Sequence, residues 1–125
     1  MEKGKKVLIV DDDKFLLDMY SVKFREDGFD VEIGVGGEDG LQKLRSGMTF
    51  DVIMLDIVMP NIDGFAFLEA VKAENLGGNP KVVVLSNQGQ DEEIVRAKEL
   101  GADDYIVKAS AIPSEVLEQV RKVME

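Results

Sequence analysis

The sequence predicts an α/β protein, a three-layer doubly wound (βα)5 sandwich built on a parallel five-stranded sheet. Three observations predict it. Short runs rich in Val and Ile recur at Val7-Leu8-Ile9-Val10, Val52-Ile53-Met54-Leu55, Val82-Val83-Val84-Leu85 and Tyr105-Ile106-Val107, as expected of strands buried on both faces. Helical patterns separate them, with no long linker, repeat or low-complexity stretch. Right-handed crossovers then place helices on both sides of the sheet. The strand order 2-1-3-4-5 completes the expectation and puts the topological switch point between strands 1 and 3.

Residues ~5–10 read as the first strand, and a helix follows from Lys14 to Glu26 with Asp13 as its N-cap. Phe15, Met19 and Val22, with a Leu16/Tyr20 pair, give that helix its spacing, and Gly28 stops it. Val31-Glu32-Ile33 is a short second strand, and Gly36-Gly37 turns into a helix carrying Leu41 and Leu44. Gly40 inside that helix costs roughly 1 kcal/mol against Ala, which predicts a weak element. After the third strand, Asp63 caps a helix lined by Phe67, Leu68 and Val71, which Gly77-Gly78-Asn79-Pro80 ends. The fourth strand reaches Ser86. The next helix, around residues 90–100, has Glu92 and Glu93 in its first turn and Ile94, Ala97 and Leu100 inward, with Gly101 as its stop. The fifth strand runs to Lys108. Pro113 opens the last helix, whose Leu117, Val120 and Met124 face the core.

The chain of 125 residues fits one domain, 1–125, and its 45% hydrophobic and 32% charged content is ordinary globular usage. No apolar run approaches the ~20 residues of a membrane span, and no signal-peptide pattern opens the chain. There is no Cys, which fits a cytoplasmic location, and no His. Ser-His-Asp chemistry, thiolate or imidazole metal sites and a phosphohistidine on this chain are therefore excluded. The net charge of −10 disfavours direct contact with nucleic acid or anionic membranes.

The strand ends carry the chemistry, because open α/β sheets gather ligands at the carboxyl ends of their strands. The first strand ends on Asp11-Asp12-Asp13, the third on Asp56, the fourth on Ser86 and the fifth on Lys108. Carboxylates converging at ~4 Å repel by on the order of 4 kcal/mol per pair at an effective dielectric near 20. A raised carboxyl pKa or a bound cation relieves this. A donor set of oxygens alone suits a hard ion such as Mg²⁺, held by Asp11, Asp12 and Asp56, while Asp13 reads as a helix cap. Asp56 could act as a nucleophile on phosphorus, with the metal, Ser86 and Lys108 neutralising the phosphoryl oxygens. Taken singly, Ser86 is an ordinary turn residue and Lys108 an ordinary solvated lysine; their joint placement makes the case.

Four segments carry a family resemblance: Val-Leu-Ile-Val-Asp-Asp-Asp (7–13), Leu-Asp-Ile-Val-Met-Pro-Asn-Ile-Asp-Gly (55–64), Val-Leu-Ser (84–86) and Gly-Ala-Asp-Asp-Tyr-Ile-Val-Lys (101–108). With them the chain resembles the receiver domain of bacterial two-component response regulators, whose fold is the flavodoxin-like, CheY-like one. The resemblance covers essentially the whole chain. It implies that Asp56 is the phosphoacceptor, and that Asp11, Asp12, Asp56 and the backbone carbonyl of Val58 hold Mg²⁺. It further implies that Ser86 and Lys108 hold the phosphoryl group and that Ser86 and Tyr105 form the switch. The implied partners are a histidine kinase or phosphotransfer protein and a downstream protein target. Signalling would run through the face of the fourth helix, fifth strand and fifth helix, by partner binding or phosphorylation-dependent dimerisation. Such a switch is a phosphoacceptor with slow autodephosphorylation rather than a multiple-turnover enzyme.

Three positions depart from the family pattern. Ala109 stands where a Pro, often cis, usually follows the lysine, so a trans bond at 108–109 is expected. Asn87 follows the hydroxyl residue, where a small residue is common. Val58 puts an apolar side chain beside the acceptor, whereas Gln88 can hydrogen-bond. Two competing readings are a receiver-like interaction module that is never phosphorylated and an aspartate-nucleophile phosphohydrolase. The second needs an Asp at position 58, which is Val. No phosphate-binding glycine loop of the nucleotide-binding type follows a strand.

Overall fold

The computed structural model describes residues 4–87, 89–108 and 111–125. The strands are β1 (Lys6–Asp11), β2 (Asp30–Val35), β3 (Val52–Leu55), β4 (Lys81–Ser86) and β5 (Asp104–Val107). The helices are α1 (Lys14–Glu26), α2 (Gly37–Arg45), α3 (Gly64–Ala73), α4 (Asp91–Glu99) and α5 (Pro113–Met124). All strand pairs are parallel, in the order β2-β1-β3-β4-β5. The expected architecture and order are both present.

Alternation along the strands divides the core in two. Leu8, Val10, Ile53, Leu55, Val82 and Val84 pack against Leu41 and Leu44 of α2, Phe67 and Leu68 of α3, and Ala97 of α4. Val7, Ile9, Val52, Met54, Val83, Leu85 and Ile106 pack against Leu17, Tyr20 and Phe24 of α1 and Val116, Leu117 and Val120 of α5. Strands apolar on both faces are what a buried parallel sheet requires.

The helix ends follow from local chemistry. Asp13 Oδ1 accepts from the N–H groups of Phe15 and Leu16 at 3.0 and 3.3 Å, and Asp63 Oδ1 accepts from Ala66 N–H at 2.9 Å. Pro113 begins α5, where its missing N–H costs nothing. Three details differ from the sequence reading. On α1 the sheet-facing stripe is Leu17, Tyr20, Ser21 and Phe24, whereas Phe15 is 77% and Val22 57% exposed. The helix carries apolar residues around most of its circumference, so spacing alone did not select the buried stripe. Gly40 belongs to a close approach: a Cβ on Gly34 would lie 2.8 Å from Gly40 Cα, and one on Gly40 would lie 3.0 Å from Phe67 and Val10. Its helical cost is offset by packing. Finally, α3 gives way at Asn75 (φ 52°) to a 3₁₀ turn, Leu76–Gly78, where the sequence suggests only a glycine stop.

Two stability predictions follow from the α1 side. Ser21 is buried and its Oγ has no hydrogen-bond partner among the described residues. Ser21→Ala should therefore stabilise the fold by about 1 kcal/mol, through removal of an unpaired hydroxyl and a better helix former; urea melts measure this. Arg121 of α5 binds Asp27 at the end of α1, with Nε 2.9 Å from Oδ2. That hydrogen bond, with the guanidinium charge, holds the Asp27 carboxyl below its ordinary 3.8. A depressed carboxyl stabilises the fold above its unfolded value, and the gain disappears as pH falls through the folded value. Asp27→Asn should thus melt earlier than the parent protein at pH 7, with the difference shrinking as pH falls below about 3.8 and gone only below the lower folded value.

Candidate phosphoryl-transfer and metal site

The register of the sheet assembles the site. Val10 pairs with Leu55, and the Asp56 N–H donates to the Val10 carbonyl at 3.1 Å, so Asp56 emerges beside Asp11. On the other side Ser86 pairs with Val107, which puts Ser86 and Lys108 at the same edge. Carboxylate oxygens of Asp11, Asp12 and Asp56 lie within 4.8 Å of one another. Asp11 and Asp56 are buried, Asp12 is exposed, and Ser86 has no exposed surface. Lys108 extends inward until its Nζ lies 3.0 Å from Asp11 Oδ2 and 3.5 Å from Asp56 Oδ2.

One ammonium among three carboxylates leaves the cluster with excess negative charge. Burial pushes the Asp11 carboxyl above its ordinary value, and the Asp56 charge adds to this. The Asp13 N–H, which donates to Asp11 Oδ1 at 3.0 Å, and the Lys108 ammonium oppose the rise without cancelling it. Burial alone would depress the Lys108 ammonium, but its hydrogen bond to Asp11 and the charges of Asp56 and Asp11 raise it overall. Lys108 is thus held charged inside the site.

The donor set fits a hard divalent cation. It consists of oxygens alone, in a chain without His or Cys. Its spread of at most 4.8 Å compares with about 4.2 Å across an octahedral Mg²⁺, so a small closure suffices. Val58 lies two residues beyond Asp56 and is 57% exposed.

Tyr105 is half-buried in β5 and packs against the core beneath α4. Burial raises its phenol, against the effect of a side-chain hydrogen bond with Ser86. The Ser86–Tyr105 contact links the site to the α4–β5 surface, and neither residue's spacing in the sequence could have disclosed it. The residue whose place beside the site the sequence does not disclose is Tyr20, a buried aromatic on α1 whose phenol feels both Lys108 and Asp11. The expected trans bond at 108–109 and the role given to Gln88 lie outside the described residues.

The family model of the response regulator receiver domain matches residues 7–121. Among curated proteins, the chain is 36% identical over 86 residues to the transcriptional regulatory protein CpxR homolog of Haemophilus influenzae, covering 69% of this chain and 36% of that protein. It is 34% identical over 89 residues to the chemotaxis protein CheY of Treponema pallidum, covering 70% of this chain and 60% of that one. Among solved structures, the CheY-like receiver domain protein of Methanospirillum hungatei superposes with a TM-score of 0.85 at 30% identity, covering 96% of this chain and 93% of that one. Chemotaxis protein CheY4 of Vibrio cholerae gives 0.86 at 30% identity, covering 95% and 98%. The chain belongs to the response regulator receiver domain family. It spans only about a third of the length of the transcriptional regulators it matches, 36% for the CpxR homolog.

Proposed function

We propose that residues 1–125 act as one receiver domain, a phosphorylation-dependent signalling switch whose phosphoacceptor is Asp56. The observation that carries this reading is the Asp56 carboxylate at the sheet edge, 3.5 Å from the Lys108 ammonium and clustered with the Asp11 and Asp12 oxygens. Asp11, Asp12 and Asp56, with the Val58 carbonyl, would hold Mg²⁺, which when bound supplies positive charge against the phosphoryl oxygens.

The donor is a phosphohistidine on a histidine kinase or phosphotransfer protein. An Asp56 Oδ attacks phosphorus, the phosphorus–nitrogen bond breaks, and the leaving imidazole takes up a proton. Lys108 then moves its hydrogen bond from Asp11 to a phosphoryl oxygen, and the Ser86 hydroxyl donates to another. Ser86 is hydrogen-bonded to Tyr105, so the shift is passed to the α4–β5–α5 face, where a protein target or a second copy of the chain reads it. Moving a 1:99 population to 99:1 takes about 5.5 kcal/mol, within reach of several charge-assisted bonds. The domain acts in the cytoplasm and turns over no substrate beyond slow loss of its own phosphoryl group. No described helix is long and apolar enough to cross a membrane.

Val58 governs how long the phosphoryl group lasts. Its exposed apolar side chain gives an attacking water no hydrogen bond. Val58→Asn supplies one, worth about 1 kcal/mol, and should speed autodephosphorylation about fivefold; the decay of radiolabelled protein reads it, and an unchanged half-life would remove Val58 from the mechanism. The reading as a whole is tested by intact mass after incubation with Mg²⁺ and acetyl phosphate. One added phosphoryl group is expected, absent from Asp56→Ala and from protein treated with a chelator. No adduct, together with no beryllofluoride binding, would favour an interaction module that is never phosphorylated.

A further inference from the structure

α4 is lightly held. Ala97 is its only fully buried residue, and its N-cap, Gln90, gives no side-chain hydrogen bond. Ile94 and Leu100, expected inward, are half-buried. One contact compensates for this thin packing: the Arg96 guanidinium lies 4.2 Å from the centroid of the Phe65 ring. Phe65 is itself buried and sits in the first turn of α3, directly after Gly64.

The connection from Phe65 back to Asp56 is stiff. Gly64 N–H donates to the Ile57 carbonyl at 2.8 Å, and the Gly64 backbone is so close to Asp56 that an added Cβ would lie 2.5 Å from its carbonyl oxygen. The Phe65 ring is therefore a fixed outpost of the Asp56 loop. Three residues before Arg96, on the same face of α4, Glu93 is near enough to Tyr105 to act on its phenol. One face of the helix thus neighbours both a ring tied to Asp56 and one tied to Ser86.

We propose that Arg96 is a positioning residue, a cation–π latch that fixes α4 on the Phe65 ring and so couples the Asp56 loop to the α4 surface. The latch acts through the Phe65 ring rather than through the Ser86–Tyr105 pair. A cation over an aromatic face at an exposed site should protect α4 against local opening by roughly two- to fivefold.

Hydrogen exchange of the full chain, followed by peptides covering α4, tests the latch without any phosphorylation. Arg96→Gln and Phe65→Leu should each speed α4 exchange roughly two- to fivefold, with Arg96→Lys closer to the parent and α5 unchanged. The double variant should be no faster than the singles, because both remove one interaction. Unchanged α4 exchange in Arg96→Gln, or additive effects in the double variant, would overturn the proposal. A second arm rests on the switch reading: adding beryllofluoride and Mg²⁺ should change α4 protection in the parent protein, and by less in Arg96→Gln. An equal response in both would mean that Arg96 holds the helix without coupling it, and would overturn the coupling. Loss of the response in the parent protein would instead count against phosphorylation at Asp56, with the first arm still standing.

Discussion

Lys108→Ala should lose about 3–5 kcal/mol of stability in the absence of divalent metal, the usual cost of removing one partner of a buried ion pair. The side chains concerned are only 13% (Lys108) and 9% (Asp11 and Asp56) exposed, so water cannot replace the ammonium. Most of the loss should return on adding Mg²⁺, which places positive charge in the same cluster. The variant should also bind Mg²⁺ more tightly than the parent, because Lys108 Nζ, 3.0 Å from Asp11 Oδ2, competes for that oxygen. Thermal melts with and without Mg²⁺, together with calorimetric titration, measure both effects. A stability loss of the same size in either condition would show that Lys108 acts through packing rather than through charge.

Gly64→Ala should combine a structural and a functional loss. A Cβ there would sit 2.5 Å from the Asp56 carbonyl oxygen, 2.7 Å from Ile57 Cα and 2.8 Å from Ile57 Cδ1. Two of these are backbone atoms, which cannot swing aside as a side-chain tip can. Relief requires the Asp56–Ile57 segment to move, at a cost of about 1–3 kcal/mol, the usual range for overpacking. Moving it displaces the carboxylate from Asp11, Asp12 and Lys108, so phosphoryl incorporation from acetyl phosphate should fall far more than stability does. Gly47→Ala separates the two effects. Gly47 has φ 102° with open space around it, so alanine there is strained but distant from the acid cluster. It should lower the melting temperature and leave phosphorylation intact. Normal phosphorylation of Gly64→Ala would mean that the loop tolerates the shift.

The fold was legible because each βα unit punctuates itself. Asp13 and Asp63 cap their helices, Gly28 takes a positive φ where α1 must end, and the Val-rich runs are too short and too apolar for surface strands. The cluster was legible through topology: once the order was 2-1-3-4-5, Asp11 and Asp56 had to emerge side by side. What the sequence withheld depends on side-chain direction. Phe15 and Tyr20 are equally plausible inward residues until the helix is rotated against the sheet, yet one is 77% exposed and the other 5%. Gly40 reads as a weak point in isolation and becomes intelligible only beside Gly34 and Phe67. The Arg96–Phe65 contact, between residues 31 positions apart on separate helices, has no local signature.

Trapping and locating the phosphoryl group tests the central claim most directly. The protein is phosphorylated with acetyl phosphate and Mg²⁺, reduced with borohydride, which converts an aspartyl phosphate to homoserine, and mapped by peptide mass spectrometry. Homoserine at position 56, absent without Mg²⁺, is the predicted result. Homoserine at Asp11 or Asp12 instead, or modification indifferent to Mg²⁺, would contradict the assignment of Asp56 as phosphoacceptor within a metal-binding cluster.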